Sequence, residues 1–123
     1  MTWTLTLPWT KPLLSLNDRM HWAQTAALTR TIKQTTCVLA RNARIPPQER
    51  ITVQLHYQPR DRRARDEDNL FAFVKPCVDG IKAAGVVASD DSRHVTHLPA
   101  VIHDPLPGQR AGALWLVITP VEA

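Results

Sequence analysis

Asp66 and Asp68 stand one residue apart in Arg65-Asp66-Glu67-Asp68-Asn69-Leu70, and Asp90-Asp91 follows later in the chain. Four arginines, Arg60, Arg62, Arg63 and Arg65, lead into the pair. Carboxylate oxygens are hard ligands suited to Mg²⁺, and guanidinium groups match phosphate oxygens in a planar fork. Chemistry that calls for both side by side is phosphodiester chemistry, and the reading that follows is a metal-dependent nuclease. Asp66, Asp68 and Asp91, with water and phosphate oxygens at the remaining positions, would complete an octahedral Mg²⁺ site. Such an ion polarises the phosphoryl group and helps generate a hydroxide nucleophile. Lys75 lies seven residues beyond Asp68, two helical turns along and on nearly the same face. A lysine there would stabilise the charge of the transition state or orient the attacking water. Arg62, Arg63 and Arg65 would hold backbone phosphates on either side.

The same residue types have plainer readings. A DxD pair before a helix is also a solvated cap, and a DD pair is also a turn. His94 and His97 lack a further Cys or His at zinc spacing and read as structural. His21-Trp22 either meets DNA or packs, and Trp3, Trp9 and Trp115 read as core or interface residues. The four glycines build no phosphate loop, so no nucleotide cofactor is expected.

Positioning these groups falls to a small set of elements. Residues Thr2 to Leu7 alternate polar and apolar and predict a half-buried strand ended by Pro8. Asn17 or Asp18 offers a helix cap, and His21 to Arg44 holds neither Gly nor Pro. On a helical wheel Leu28, Ile32, Leu39 and Ala43 share one face, with Arg30, Lys33, Arg41 and Arg44 opposite. That basic face is either ordinary solvated surface or a rail along a phosphate backbone, with Arg30 and Lys33 as DNA contacts. Ile51, Val53, Leu55 and Tyr57 alternate with polar residues, giving a second strand that runs into the arginine-rich turn and delivers Asp66 and Asp68 at the mouth of the next element. Leu70 to Ala84 predicts a second helix that Pro76 either kinks or opens, and Gly85 suits its C-terminal cap. Two late strands follow, near His94 to His103 and Ala113 to Thr119, across a Pro105/Pro107/Gly108 turn. The expected class is α+β, with a mixed sheet of about four strands flanked by two main helices in the order β-α-β-α-β-β.

At 123 residues with 44% hydrophobic content, the chain fits one domain, 1–123, with a genuine core. Fifteen Lys+Arg against 11 Asp+Glu give a net charge of +4, a modest excess that favours nucleic acid mainly through its clustering. Cys37 and Cys77 form no CxxC unit and read as reduced thiols of a cytoplasmic protein. The opening residues have no charged, apolar leader pattern, and no run reaches the ~20 apolar residues of a membrane span.

Taken together, the motifs resemble the RusA family of Holliday-junction resolvases along nearly the whole chain. The matching pieces are Leu5-Thr-Leu-Pro-Trp9, Leu16-Asn17-Asp18-Arg19 with His21-Trp22, and Arg65-Asp66-Glu67-Asp68-Asn69-Leu70. Lys75-Pro76-x-x-Asp79-Gly80 and Gly85-x-x-x-x-Asp90-Asp91-Ser92 complete the series. The resemblance implies a homodimeric, Mg²⁺-dependent endonuclease, with Mn²⁺ as a substitute, that resolves four-way DNA junctions by symmetric paired nicks in recombination and repair. Such proteins are frequent on prophages. It implies catalytic aspartates at Asp66, Asp68 and Asp91, a DNA-contacting arginine at Arg65 and a catalytic lysine at Lys75. That lysine lies one helical turn farther from the DxDN run than in some members, and Asp90 could assist or replace Asp91. Two other readings stand beside it: a non-catalytic DNA-binding accessory or regulatory protein, and a flap or branched-DNA nuclease using the same metal site.

Overall fold

The computed structural model describes residues 1–15, 21–62, 65 and 67–122, with Glu67 and Asp68 described at the backbone only. The elements run β1 (Trp3–Thr6), α1 (Trp22–Asn42), β2 (Ile51–Gln58), a 3₁₀ turn (Glu67–Leu70), α2 (Phe71–Ala83), β3 (Val95–His97), β4 (Val101–Ile102) and β5 (Ala113–Pro120). This is an α+β protein with a mixed five-stranded sheet and two helices, one strand more than expected. The sheet order is β1-β5-β2-β3, with β4 also on β2. β1 and β5, and β5 and β2, pair antiparallel, whereas β3 and β4 both run parallel to β2.

The extra strand has a local cause. Val95 to Ile102 follows one edge of β2, but Pro99 has no N–H to give to the ladder and interrupts it. The break is bridged by the Leu98 N–H, which donates to the Val53 carbonyl at 2.9 Å, and by Gln54 Nε2, which donates to the Pro99 carbonyl at 2.9 Å.

β2 alternates as its sequence predicts, with Ile51, Val53, Leu55 and Tyr57 buried and the intervening residues half-buried. Leu114, Leu116 and Ile118 of β5 do the same beside them. These side chains meet Ile32 and Ala40 of α1 and Phe73, Val78 and Ile81 of α2 in one core. Burying each such large side chain contributes about 1.5–3 kcal/mol, so the helix layer is firmly held to the inward face of the sheet. The other face presents Thr52, Gln54, His56, Trp115 and Val117, all half-buried.

The predicted caps Asn17 and Asp18 lie outside the described residues; the helix N-cap is His21, whose Nδ1 accepts from the Ala23 N–H at 3.2 Å. The α1 wheel is rotated from the expected one. Thr36, Cys37 and Ala40 join Ile32 as its buried residues, while Ala43 is exposed. Gly80 explains the rotation, because a Cβ there would collide with the Lys33 carbonyl oxygen and stand 2.9 Å from Thr36 Cβ. Lys33 therefore belongs to the flank of the helix crossing, not to its back. α2 continues through Pro76, which is buried and does not open the second half. Its end is closed as predicted by Gly85, at φ +88°, whose N–H donates to the Lys82 carbonyl. Cys37 and Cys77 are free and buried; desolvation pushes the Cys77 thiol up to about 12, so it is inert at neutral pH.

Candidate functional site

Lys75 and Asp79 are four residues apart on α2 and so share one helix face, where Lys75 Nζ donates to Asp79 Oδ1 at 3.0 Å. The segment between Gly85 and β3 then brings Asp90 to the same ammonium, its Oδ2 lying 2.5 Å from Nζ. One cation thus joins a helix to the loop that precedes β3. The bond to Asp90 raises the Lys75 pKa, and the Lys75 ammonium, with Asp79 second, holds the Asp90 carboxyl down at about 2. Both groups are charged throughout the physiological range.

His97 completes this corner. Its ring lies 5.3 Å from that of Phe71, at the start of α2, and its Nδ1 is buried with no hydrogen-bond partner among the described residues. Burial, then the charge of Lys75, lowers the His97 pKa below 6.5, which leaves a neutral imidazole at neutral pH.

Asp91 is placed differently from Asp90. Its Oδ1 accepts from the Arg93 backbone N–H at 3.0 Å and lies 2.7 Å from His94 Nδ1. Its Oδ2 pairs with the Arg93 guanidinium at 3.1 Å, and its carbonyl accepts from the N–H groups of His94 and Val95. His94 first, then Arg93, hold the Asp91 carboxyl well below the usual range. Asp91 therefore organises the turn that starts β3, while its neighbour faces Lys75. Asp68 lies in the 3₁₀ turn one helical element ahead of Lys75. Its side chain lies outside the described residues, as do Asp66 and Arg63. Among the described residues, no three His, Cys, Asp or Glu side chains form a metal-holding group.

The arginines gather beyond the C-terminal end of β2. Arg65 Nη2 pairs with Asp61 Oδ1 at 2.7 Å, and its Nη1 donates to the Asp61 carbonyl at 3.0 Å. The same guanidinium stands over the Tyr57 ring, 5.7 Å from its centroid. These contacts with Asp61 and Tyr57 leave Arg65 little rotamer freedom. Arg62 is exposed and, with Arg65 and His103, borders a cavity of about 300 Å³. Arg30 and Lys33 are exposed on α1, a separate element from the arginine turn.

Asp79 entered the sequence reading only within the Lys75-Pro76-x-x-Asp79-Gly80 motif, and His97 was read as structural. The i, i+4 spacing of Lys75 and Asp79 was a visible signal; Asp90 and His97 were visible as residues, but their convergence on Lys75 depends on tertiary folding.

No family model matches the chain. It is similar to a protein of Xylella fastidiosa strain Temecula1, described as an uncharacterized protein, at 32% identity over 123 residues. The match covers 96% of this chain and 76% of the relative. The two proteins belong to one family. The relative's description states no activity, so the functional reading rests on the residues themselves.

Proposed function

We propose that the protein is a metal-dependent endonuclease of branched DNA, a RusA-like junction resolvase acting as a homodimer. The observation that carries the reading is the Lys75 ammonium bridging Asp79 and Asp90 at 3.0 and 2.5 Å, beside the neutral His97. Ionised carboxylates next to a fixed ammonium are the side chains that phosphodiester hydrolysis uses, and the arginine turn supplies contacts for the flanking phosphates. The donor chemistry fits Mg²⁺ or Mn²⁺, since every acidic candidate offers hard oxygen. Asp66, Asp68 and Asp91 would hold the ion, with Asp90 assisting or replacing Asp91. The bound ion would supply Lewis-acid polarisation of the phosphoryl oxygen and a water of lowered pKa. Lys75 would place positive charge against the developing phosphorane, and Arg65, braced by Asp61 and Tyr57, would position the strand. Two-fold assembly suits a junction, which offers two equivalent strands to two equivalent sites.

A second reading, a DNA-binding protein without catalysis, is favoured by one observation. The Asp91 carboxylate is already engaged by Arg93 and His94. The variant Asp68→Asn separates the two. Under the nuclease reading it loses cleavage by about 100-fold or more, consistent with loss of a group that acts in the transition state, while junction binding persists. Unchanged cleavage by Asp68→Asn in Mg²⁺ would remove the acidic residues from the chemistry. Absence of cleavage in the wild type as well would favour the binding protein.

A further inference from the structure

On the β1/β5 side of the arginine turn lies a second basic cavity, of about 340 Å³, where Arg60 and Arg65 meet two cations, Lys11 and Arg110, that no motif above includes. Among the described residues, Lys11, Arg60, Arg65 and Arg110 line it, with one carboxylate, Asp61. We propose that this cavity is a phosphate seat that takes the backbone of a DNA strand at a distance from the Lys75 cluster. The proposal rests on the nuclease reading only for the identity of the polyanion; the phosphate chemistry stands on the cavity itself.

Three chain segments remote in sequence each bring a cation to this one place. Lys11 comes from the loop after β1, Arg60 and Arg65 from the turn after β2, and Arg110 from the approach to β5. Gly112 draws the segments together. A Cβ there would collide with the Thr10 carbonyl oxygen and lie 2.9 Å from the Gln58 carbonyl oxygen. The first loop is further pinned by Trp9, whose ring meets Phe73 of α2 edge-on at 5.8 Å. Pairs of this geometry add about 0.5–1.5 kcal/mol beyond burial, so the loop carrying Lys11 is a built wall.

Among the described residues that line this frame, four are cationic and one is acidic. Asp61 is committed to Arg65 at 2.7 Å and reaches Arg60 only at 3.8 Å. Among the described residues, neither Lys11 nor Arg110 has an acidic partner within ion-pair distance. Like charges gathered on a folded frame repel unless an anion joins them, and phosphate oxygens match both guanidinium and ammonium donors. The volume falls in the ~300–1,000 Å³ range of ligand pockets and exceeds the need of a bare ion, leaving room for a sugar attached to the phosphate.

Position along β2 relates the seat to the catalytic corner. Tyr57 lines the cavity, whereas Val53 pairs with His97 of the Lys75 corner. Four strand residues separate the two levels, about 13 Å at the ordinary rise, which corresponds to roughly four base-pair steps of duplex. A strand held at Arg110 and Lys11 would therefore cross the Lys75 corner a few nucleotides away. Such a second grip sets where along the strand the reacting phosphate sits.

The test uses the full chain with three variants: Lys11→Gln with Arg110→Gln, Arg60→Gln, and Lys82→Gln as an exposed-cation control on α2. Binding of a four-way junction is titrated across salt concentrations, and backbone amide shifts of Ala111 and Gly112 are followed with inorganic phosphate and with a mononucleotide. The proposal expects the double variant to weaken junction binding about tenfold and to flatten the salt slope by roughly one unit per lost cation. Lys82→Gln should keep the wild-type slope. A double variant indistinguishable from Lys82→Gln overturns the seat even if the junction is bound and cut. If the wild type binds no junction, the nuclease reading fails and the small ligands decide. Shifts at Ala111 and Gly112 that the double variant loses uphold a seat for a free phosphate ester, and no shifts in the wild type overturn it.

Discussion

Lys75 divides its ammonium between Asp79 and Asp90, and the ionisation of Asp90 depends on it. Replacing it by Met should let the Asp90 carboxyl rise from about 2 toward its ordinary 3.8, seen in a carboxyl-carbon NMR titration. An Asp90 that still titrates near 2 in Lys75→Met would show that the lysine is not its main partner. The sign for stability follows: a depressed acid pKa adds stability above about 3.8 that is lost as pH falls toward 2, and the Met variant should lack that acid-side slope. The residue scale also shows where sequence reasoning stops. Lys75 and the acidic pair at 90 and 91 stand out by type and spacing. Which of the two adjacent aspartates turns to the lysine does not, because Arg93 and His94 capture Asp91 through a local turn that pattern alone does not orient.

At the scale of elements, the two crowded glycines decide how the layers meet. Gly80→Ala would thrust a methyl group into the Lys33 carbonyl and Thr36, prising α1 from α2. Over-packing of this kind costs about 1–3 kcal/mol, read as a lowered midpoint in urea with an unchanged slope. A midpoint equal to wild type would mean that the helix crossing yields without strain. β2 was legible because its apolar residues alternate strictly and one face is buried. The path from His94 to His103 was legible as strand, yet its division at Pro99 and its parallel pairing with β2 were not, since pairing partners are set by the whole sheet. The buried side of α1 was legible in part: Ile32 is buried and Leu28 and Leu39 pack against the core as expected, whereas Thr36, Cys37 and Ala40 were not foreseen. Its long run of alanine and threonine gives a weak apolar stripe, and the close approach of Gly80 chose the contact face instead. Pro76 is tolerated in α2 because surrounding core contacts of Phe73, Cys77 and Val78 outweigh one missing backbone bond.

Across the whole molecule, the helix layer covers one side of the sheet and leaves His56, His103 and Trp115 stacked on the other. The His56 and His103 ring nitrogens lie 2.8 Å apart, and their rings stack at 5.1 Å. Burial, then the proximity of His103, lowers the His56 pKa below 6.5, and burial does the same for His97. The unfolded chain therefore takes up protons that the native protein refuses as pH falls through about 6.5, and stability should decline in that window. His56→Gln should reduce the loss of thermal midpoint between neutral pH and mildly acidic pH, and an unaltered loss would exclude His56 as a source. Among the described residues no helix is long and apolar enough to cross a membrane, and the chemistry proposed for the cation-rich turn beyond β2 is that of phosphate. The most direct measurement of that chemistry is cleavage by the wild-type protein in Mg²⁺ of a mobile four-way junction, a flap and a linear duplex of matched sequence. Paired, ligatable nicks confined to the junction are the predicted result. No cleavage of any substrate, in Mg²⁺ or Mn²⁺, would contradict it.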